Sequence, residues 1–374
     1  MIYVDICNKE VTNKKLKGMR SHIVVKKSVV RNIIILIGLV FIFIPESCKT
    51  EDKDINEGTQ YAILIHGGAG VRSRDEMTPE LEKQYRTMLE ASLKAGYELL
   101  VEGGSSVDAV EAAINVMEDS PLFNAGKGAS YTSEGKVELD ACIMNGKTLR
   151  AGGIGAVNGI KNPISLARMV MEKTPHVLLV DTGAEAFAQE MGLDIMPEEY
   201  FFTERQWSSL QRRLKEDIPY GGSLPPETND TIDNEKLFDT VGAVALDKEG
   251  NLAAATSTGG RIRKRPGRVG DSPIIGASTY ANNKTCAVST TGLGEKHMVI
   301  CTAKEISALV DHKGMSVQDA INDVIKRQLV GIGGSGGAIT LDNKGNIAWA
   351  FTENGMYRGY IKDDGNVFIK IYED

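Results

Sequence analysis

The sequence predicts an α+β domain in which β-sheets pack face to face and helices lie outside them. Three observations carry that expectation. Helix patterns and strand patterns come in blocks: helices, then strands, then strands again, then helices. That order suits layers that each need a neighbour to bury an apolar face. Two segments echo one another, TVGAVALDKEGNLAAATSTGG at 240–260 and SGGAITLDNKGNIAWAFTENG at 335–355. Each reads as strand, Asp-x-x-Gly-Asn turn, strand, with the glycine suited to a positive φ. The chain is 374 residues long, enough for a large core, and its 40 glycines imply many turns or close backbone approaches.

Taken in order, the first segment reads as an address. Lys14, Lys15, Lys17, Arg20, Lys26, Lys27 and Arg31 precede the apolar run IIILIGLVFIFI, Ile33 to Ile44, and a polar tail follows. A basic region, a short apolar run and a small residue before a break describe a secretory signal. The run falls short of the roughly 20 residues that span a bilayer. Residues 1–48 are therefore expected to be a leader and 49–60 a flexible tether, with Met19 as a second candidate start. Ser47-Cys48 resembles a bacterial lipoprotein cleavage site, which would put a lipid anchor on Cys48. A plain cleaved signal or an uncleaved signal anchor remains the alternative. The expected location is outside the cytoplasm, as a bacterial periplasmic protein or a membrane-anchored lipoprotein.

The folded part begins with a buried strand at Tyr61–Ile65, ending in HGGAG. A helix is predicted from Pro79 to Glu102, with Leu81, Tyr85, Met88, Leu89 and Leu93 at helical spacing. Ser105 or Ser106 can cap the next helix, whose face is Val107, Val110, Ala113 and Val116. AGGIGAVNGI and Val177–Val180 read as strands, and NPISLARMVMEK as a helix opened by Asn162-Pro163. Residues 208–237 are polar, charged and rich in turn formers, and predict a mobile insert. Two more helices are expected at about 303–312 and 316–330. The domain is thus read as one unit from about residue 60 to 374.

Composition removes several classes of function. The net charge of −7, with both signs interspersed, argues against nucleic acid as a partner. Five cysteines at 7, 48, 142, 286 and 301 show no CxxC pair, and the histidines form no HExxH cluster, so a zinc site is not expected. Cys142, Cys286 and Cys301 sit in apolar or β-like surroundings and read as buried free thiols. GGSGG at 333–337 satisfies GxSxG, but no histidine follows Ser335 and the next segment reads as a strand. A serine-hydrolase triad in esterase order therefore fails.

The hydroxyl-bearing segments are more informative. Thr240 opens a buried-looking strand directly after the polar insert, though a lone threonine there is ordinarily explained by β-propensity. GRVGDSP supplies Arg268 and Asp271, either a surface salt bridge of little energetic consequence or a clamp on the carboxylate and ammonium of an amino acid. STTGLGE brings Thr291, Gly292 and Gly294 into a tight turn, where backbone N–H groups and a hydroxyl could face an oxyanion.

The set HGGAG, PLFNAGKGA, ELDACIM, DTVGAVALDKEGNLAAATSTGG, GRVGDSP, YANN, TGLGE and GGSGG resembles the isoaspartyl peptidase/L-asparaginase family, the plant-type asparaginases among the N-terminal-nucleophile hydrolases. The resemblance runs from about Ala62 to Tyr372. It implies a four-layer αββα sandwich, made as an inactive precursor that cuts itself between Asp239 and Thr240. Residues 61–239 would then be the α subunit and 240–374 the β subunit. The chemistry is coherent, because a threonine hydroxyl is a weak nucleophile and its freed α-amine, with a pKa near ~7.7–8, can act as its base.

Carried over position by position, the resemblance makes Thr240 the nucleophile, oriented by Thr258. Thr291 and Gly292 would form the oxyanion hole. Arg268 and Asp271, with Gly294 beside them, would hold the aspartyl moiety, and Asn124 would lie near the nucleophile. Backbone carbonyls of Met117, Glu118, Ser120, Phe123, Ala125 and Lys127 would hold a structural sodium ion; no cofactor is implied for catalysis. The implied substrates are β-aspartyl dipeptides and L-asparagine, and the implied assembly is a homodimer of cleaved αβ units. Asp239 stands where many members have glycine and is typical of the related glycosylasparaginases, so a glycosylasparaginase-like amidase stays open. A non-catalytic surface lipoprotein that keeps the fold for binding is the alternative from another class.

Overall fold

The computed structural model describes residues 61–215 and 240–373. The leader, the tether with Cys48, Asp239 and most of the segment read as an insert lie outside the described residues. The described part belongs to one compact unit, Gly58–Asp374. It is a mixed α+β structure with two sheets.

The larger sheet has eight strands in the order β12-β11-β1-β5-β6-β2-β3-β4. These are β1 (Ala62–Ala69), β2 (Leu139–Asn145), β3 (Ala151–Val157), β4 (Leu178–Val180), β5 (Val241–Leu246), β6 (Leu252–Thr258), β11 (Gly355–Lys362) and β12 (Val367–Tyr372). Neighbours are antiparallel except β3 with β4. The smaller sheet is antiparallel, in the order β10-β9-β8-β7: β7 (Thr279–Ala281), β8 (Cys286–Gly292), β9 (Gly336–Asp342) and β10 (Ile347–Phe351).

The two echoed segments are the hairpins β5–β6 and β9–β10, one in each sheet. Their turns are built alike. Asp247 Oδ1 accepts the N–H groups of Glu249 and Asn251, and Asp342 Oδ1 those of Lys344 and Asn346. Gly250 and Gly345 each sit at φ +78°, where a side chain would be strained. Aspartate at the first position therefore satisfies the turn's own amides, and the glycine lets the chain reverse.

Helices α1 (Pro79–Val101), α2 (Ser106–Glu118), α3 (Pro163–Lys173), α4 (Asp181–Glu190) and α5 (Glu204–Lys215) precede β5. Ser105 caps α2 through a capping box with Asp108, as its position predicts. Helices α6 (Gly294–Ile300), α7 (Thr302–Lys313) and α8 (Val317–Asn322) follow β8, and the last runs on as a π-helical stretch over Asp323–Leu329.

Alternation along the strands sends side chains to different apolar clusters. Ala243 and Ala245 join Ile63, Ile143, Leu89, Val110 and Ile164 in a cluster shared with α1, α2 and α3. Val244 and Leu246 instead join Ala287, Ile339 and Leu341 of the smaller sheet. Val288 and Ala338 pack with Ile306, Ile321 and Ile325. Each buried Val, Leu or Ile contributes about 1.5–3 kcal/mol, so these clusters hold the strands' register firmly.

Several expectations need correction. Residues 208–215 belong to α5 rather than to a floppy insert, a helix whose own Gln206 and Leu210 are buried. Asn162 and Pro163 do open α3 as expected, and the Asn162 side chain donates to Asp119. Cys301 is exposed, at φ +51° between α6 and α7, whereas Cys142 and Cys286 are buried. Among the described residues no helix is long and apolar enough to cross a membrane.

Candidate active site

Thr240 lies at the mouth of β5, and the β5–β6 register pairs Val241 with Ser257. That register brings the two ends of the hairpin together. Thr240 Oγ1 and Thr258 Oγ1 are 3.0 Å apart, within hydrogen-bond distance, and Thr240 is 8% exposed. The N–H of Gly260 donates to Thr258 Oγ1 at 3.0 Å, which holds that hydroxyl in place.

Behind Thr240 runs a buried polar row that no sequence motif indicated as a unit. His66 Nδ1 donates to the Thr240 carbonyl at 3.0 Å, and His66 Nε2 lies 2.9 Å from Ser289 Oγ. Ser289 Oγ is 2.7 Å from Thr256 Oγ1, which accepts from Thr279 Oγ1 at 2.7 Å. Burial pushes the His66 imidazole down to about 3, against the pull of its bond to Thr240, so it is neutral at physiological pH. The only sequence signal was the histidine of HGGAG, which reads locally as the end of a strand.

Thr291 and Gly292 end β8 opposite Gly337 and Gly336, so they form a strand terminus rather than the expected tight turn. Gly292 has φ +143° and Gly336 φ +142°, and a Cβ on Gly292 would come within 2.6 Å of the Gly336 Cα. Only glycine permits that approach. Thr291 is buried and stands two residues from Ser289, on the same side of the strand.

Arg268 and Asp271 come together beside Gly294. A Cβ on Gly294 would meet Asp271 Oδ1 at 2.6 Å and Arg268 Nη2 at 2.9 Å. Arg268 donates through Nε and Nη2 to Glu295 Oε1 at 3.1 and 3.0 Å, and Arg261 Nη1 lies 3.6 Å from Glu295 Oε2. Asp271 accepts from Thr290 Oγ1 at 3.1 Å. Burial raises the Asp271 carboxyl above its usual range, opposed by His297 and Arg268.

The loop that carries this pair is anchored from below. Gly267 N–H donates to Glu138 Oε2 at 2.9 Å and Gly270 N–H to Asp140 Oδ2 at 3.0 Å. Asp140 Oδ1 also accepts from Ala156 N–H at 2.9 Å. Lys264, nearly buried, donates to the Glu138 carbonyl at 2.7 Å, and burial draws its ammonium pKa below the usual value. Asp140, inside ELDACIM, and Lys264, three residues before GRVGDSP, are thus supports that the motifs do not announce.

Asn124 is committed at both ends of its amide. Its Nδ2 donates to the Gly260 carbonyl at 2.6 Å and its Oδ1 accepts from Ser130 N–H at 2.7 Å. Its own carbonyl accepts from Gly259 N–H at 2.9 Å. The side chain holds the TSTGG turn against the 124–130 loop.

The predicted sodium loop follows α2. The Met117 carbonyl accepts from Ser120 N–H at 3.2 Å and the Ala125 carbonyl from Gly128 N–H at 3.1 Å. A Cβ on Gly126 would collide with the Glu118 carbonyl, and one on Gly128 with the Phe123 carbonyl. Glycine at these two positions therefore lets the Glu118 and Phe123 carbonyls pack closely against the loop. Glu118 Oε1 accepts from Ser257 Oγ at 2.6 Å and Ile164 N–H at 3.0 Å, and burial pushes its carboxyl up to about 8. Among the described residues no group of His, Cys, Asp or Glu side chains is arranged to hold a metal ion.

The site thus offers a buried hydroxyl pair, a guanidinium beside a carboxylate, and a glycine-lined strand end. Comparison with known proteins gives a consistent result. The asparaginase family model matches residues 59–370. The isoaspartyl peptidase of Escherichia coli K12 is 45% identical over 303 residues, covering 80% of this chain and 93% of that protein. The isoaspartyl peptidase of Salmonella typhimurium is 45% identical over 304 residues, covering 80% and 96%. The human isoaspartyl peptidase/L-asparaginase is 42% identical over 302 residues, covering 80% and 93%.

Proposed function

This chain belongs to the asparaginase family, and from that premise we propose that it is a self-cleaving threonine amidohydrolase acting on β-aspartyl (isoaspartyl) dipeptides and L-asparagine. The observation that carries the proposal is the 3.0 Å contact between the Thr240 and Thr258 hydroxyls. Cleavage of the 239–240 bond frees the Thr240 α-amine. That amine takes the hydroxyl proton as Oγ1 attacks the β-carbonyl of the substrate.

Arg268 binds the α-carboxylate and Asp271 the α-ammonium, which fixes the aspartyl end. The carbonyl oxygen becomes an oxyanion at Thr291 and Gly292. The ammonium formed at Thr240 returns its proton to the leaving amine, which departs as ammonia or as the amino end of the second amino acid. Water then opens the β-aspartyl ester and regenerates Thr240. No cofactor enters these steps. Thr258 orients the nucleophile, and Asn124 acts by holding the turn that carries Thr258.

The three apolar clusters support reading the α+β structure as a four-layer αββα sandwich, with 61–239 and 240–374 as its two subunits. The backbone carbonyls of Met117, Glu118, Ser120, Phe123, Ala125 and Lys127 are proposed to hold a sodium ion, where it would stiffen the segment carrying Asn124. Residues 1–48 are proposed to direct export to the periplasm or to a lipid anchor at Cys48, and the cleaved units to form a homodimer.

Mass spectrometry of the purified protein tests the core of this. A fragment beginning at Thr240, absent in Thr240→Ala, supports the enzyme. An intact chain without hydrolysis would leave a binding protein. Asp239 keeps a glycosylasparaginase-like activity as the second reading, and assay of β-aspartyl dipeptides against glycosylated asparagine separates the two.

A further inference from the structure

Arg261 directly follows the TSTGG turn, and the proposed reaction does not use it. Gly260, the residue before it, touches both halves of the site. Its N–H donates to Thr258 Oγ1 at 3.0 Å and its carbonyl accepts from Asn124 Nδ2 at 2.6 Å. A Cβ built on Gly260 would stand 3.2 Å from Arg268 Nη1. Arg261 therefore leaves the backbone between the hydroxyl pair and the guanidinium of the clamp. Its Nη1 lies 3.6 Å from Glu295 Oε2, while Arg268 holds Oε1 of the same carboxylate through Nε and Nη2. Two guanidiniums thus straddle one carboxylate.

Exposure separates the two. The Arg268 side chain is 17% exposed, that of Arg261 45% and that of Glu295 48%, whereas Thr240, Thr258 and Asp271 are buried. Exposure rises from the hydroxyl pair through Arg268 to Arg261, so the site opens to solvent on the Arg261 side. Their contacts differ as well. Arg268 makes two hydrogen bonds to Glu295, but the Arg261 contact is longer than a hydrogen bond, and among the described residues it is that side chain's one polar contact. Neighbouring cations are engaged by carbonyls: Arg263 by that of Arg213, Lys264 by that of Glu138 and Lys296 by that of Ile332. A half-exposed, loosely paired guanidinium contributes little to the fold.

We propose that Arg261 is a specificity-determining residue that receives the α-carboxylate of the second amino acid of a β-aspartyl dipeptide. With the aspartyl end held at Arg268 and Asp271 and the scissile bond at Thr240, the atoms beyond that bond run out toward the open side. There the second amino acid presents a carboxylate, which a dipeptide with a free C-terminus carries and L-asparagine lacks. The Arg261 fork takes it in a charge-assisted pair while Glu295 stays with Arg268. Residues 261–270 hold Arg261, Arg263, Lys264, Arg265 and Arg268 and no acid, so this border of the site favours an anion. The consequence is a preference for dipeptides over L-asparagine, and for a free over a blocked C-terminus. This rests on the amidohydrolase reading above, because it places the aspartyl end on Arg268 and Asp271.

The test compares β-aspartyl-leucine with its C-terminal amide, in the wild type and in Arg261→Gln. In the wild type the KM for the amide should exceed that for the free acid by about 5-fold, the effect of a half-exposed ion pair. In Arg261→Gln the two KM values should converge, and Arg261→Lys should keep part of the gap. The gap is expected in KM rather than kcat, because the carboxylate is held equally before and during the reaction. The ratio of KM for β-aspartyl-leucine to KM for L-asparagine should rise by the same factor in Arg261→Gln. A gap of equal size in Arg261→Gln and wild type overturns the proposal, and so does a KM that rises as much for L-asparagine as for the dipeptide. Should the variants fail to fold, equal KM values for acid and amide in the wild type overturn it. A chain that stays uncleaved at Thr240 and inactive on every substrate overturns the amidohydrolase reading itself, whereas an active enzyme with an unchanged gap overturns only this inference.

Discussion

His66 Nδ1 lies 3.0 Å from the carbonyl oxygen of Thr240, and that contact fixes the direction of every hydrogen bond behind it. A carbonyl can only accept, so Nδ1 carries the proton and the neutral ring presents Nε2 as an acceptor. Ser289 must then donate to Nε2, Thr256 to Ser289, and Thr279 to Thr256. The row ties β1, β8, β6 and β7 to the backbone of the proposed nucleophile. Each member is satisfied by its neighbour, which is the condition under which a buried polar network stabilises a unique core.

Replacing His66 tests this row. His66→Ala removes the donor to Thr240 and the acceptor for Ser289, leaving both unpaired in the interior. A loss of about 2–4 kcal/mol is expected from two orphaned groups, read from urea unfolding. Self-cleavage should slow as well, because the Thr240 backbone is no longer held. His66→Asn keeps an N–H near the Nδ1 position and should restore part of the cleavage rate.

The contact between Thr240 and Thr258 makes a second prediction. Thr258→Ser keeps the hydroxyl, so its activity should stay within a few-fold of wild type. Thr258→Val keeps the volume but removes both the hydroxyl on Thr240 and the acceptor for Gly260 N–H. kcat should fall by about 10²-fold or more, as expected when a group that orients or relays a proton is lost. Steady-state kinetics on mature protein decides it, and equal activity in the two variants would show that Thr258 only fills space.

The parts of this site that were legible in the sequence are those held together by local chemistry. The Asp-x-x-Gly-Asn turn fixes the β5–β6 register, and the register alone sets Thr258 beside Thr240. Arg268 and Asp271 are close in sequence and share one loop. What was not legible is long-range. His66 and Thr240 are 174 positions apart, and Asp140 reaches Gly270 across 130. Helix α5 was missed because its composition is polar, with little but Leu210 turned inward.

Gly294 separates binding from chemistry. Its φ is not in the left-handed region, so alanine is tolerated by the backbone at the start of α6. The added methyl, however, would stand 2.6 Å from Asp271 Oδ1 and 2.9 Å from Arg268 Nη2. Those side-chain ends can move aside, which spares the fold and misplaces the clamp. Gly294→Ala should therefore cleave itself normally yet raise KM by about 10-fold or more, with a smaller change in kcat. An unchanged KM would remove the pair from the binding site.

The thiols make a prediction about packing. Burial pushes Cys142 and Cys286 up to about 12, and both are enclosed, while Cys301 is exposed. Thiolate is the reactive form, so iodoacetamide at pH 8 should label Cys301 in the native protein. Cys142 and Cys286 should react only after unfolding, as peptide mapping would show.

Acid stability is the last prediction, and His66 sets its sign. The imidazole is held at about 3 in the folded protein, against 6.5 for an unperturbed histidine, because burial excludes the charged form. A depressed folded pKa means that the unfolded chain binds the proton first. The stability is then fully present above pH 6.5 and is lost as the pH falls toward 3, by up to ~1.4 kcal/mol per pH unit from this group. Asp271, raised by burial, works in the opposite direction and is common to wild type and variant. Urea unfolding at pH 7 and pH 5 should therefore show a smaller loss for His66→Asn than for wild type, by about 2 kcal/mol. Equal losses in the two proteins would mean that the ring is already able to carry a proton in the folded state, and the direction of hydrogen bonding derived from Thr240 would have to be abandoned.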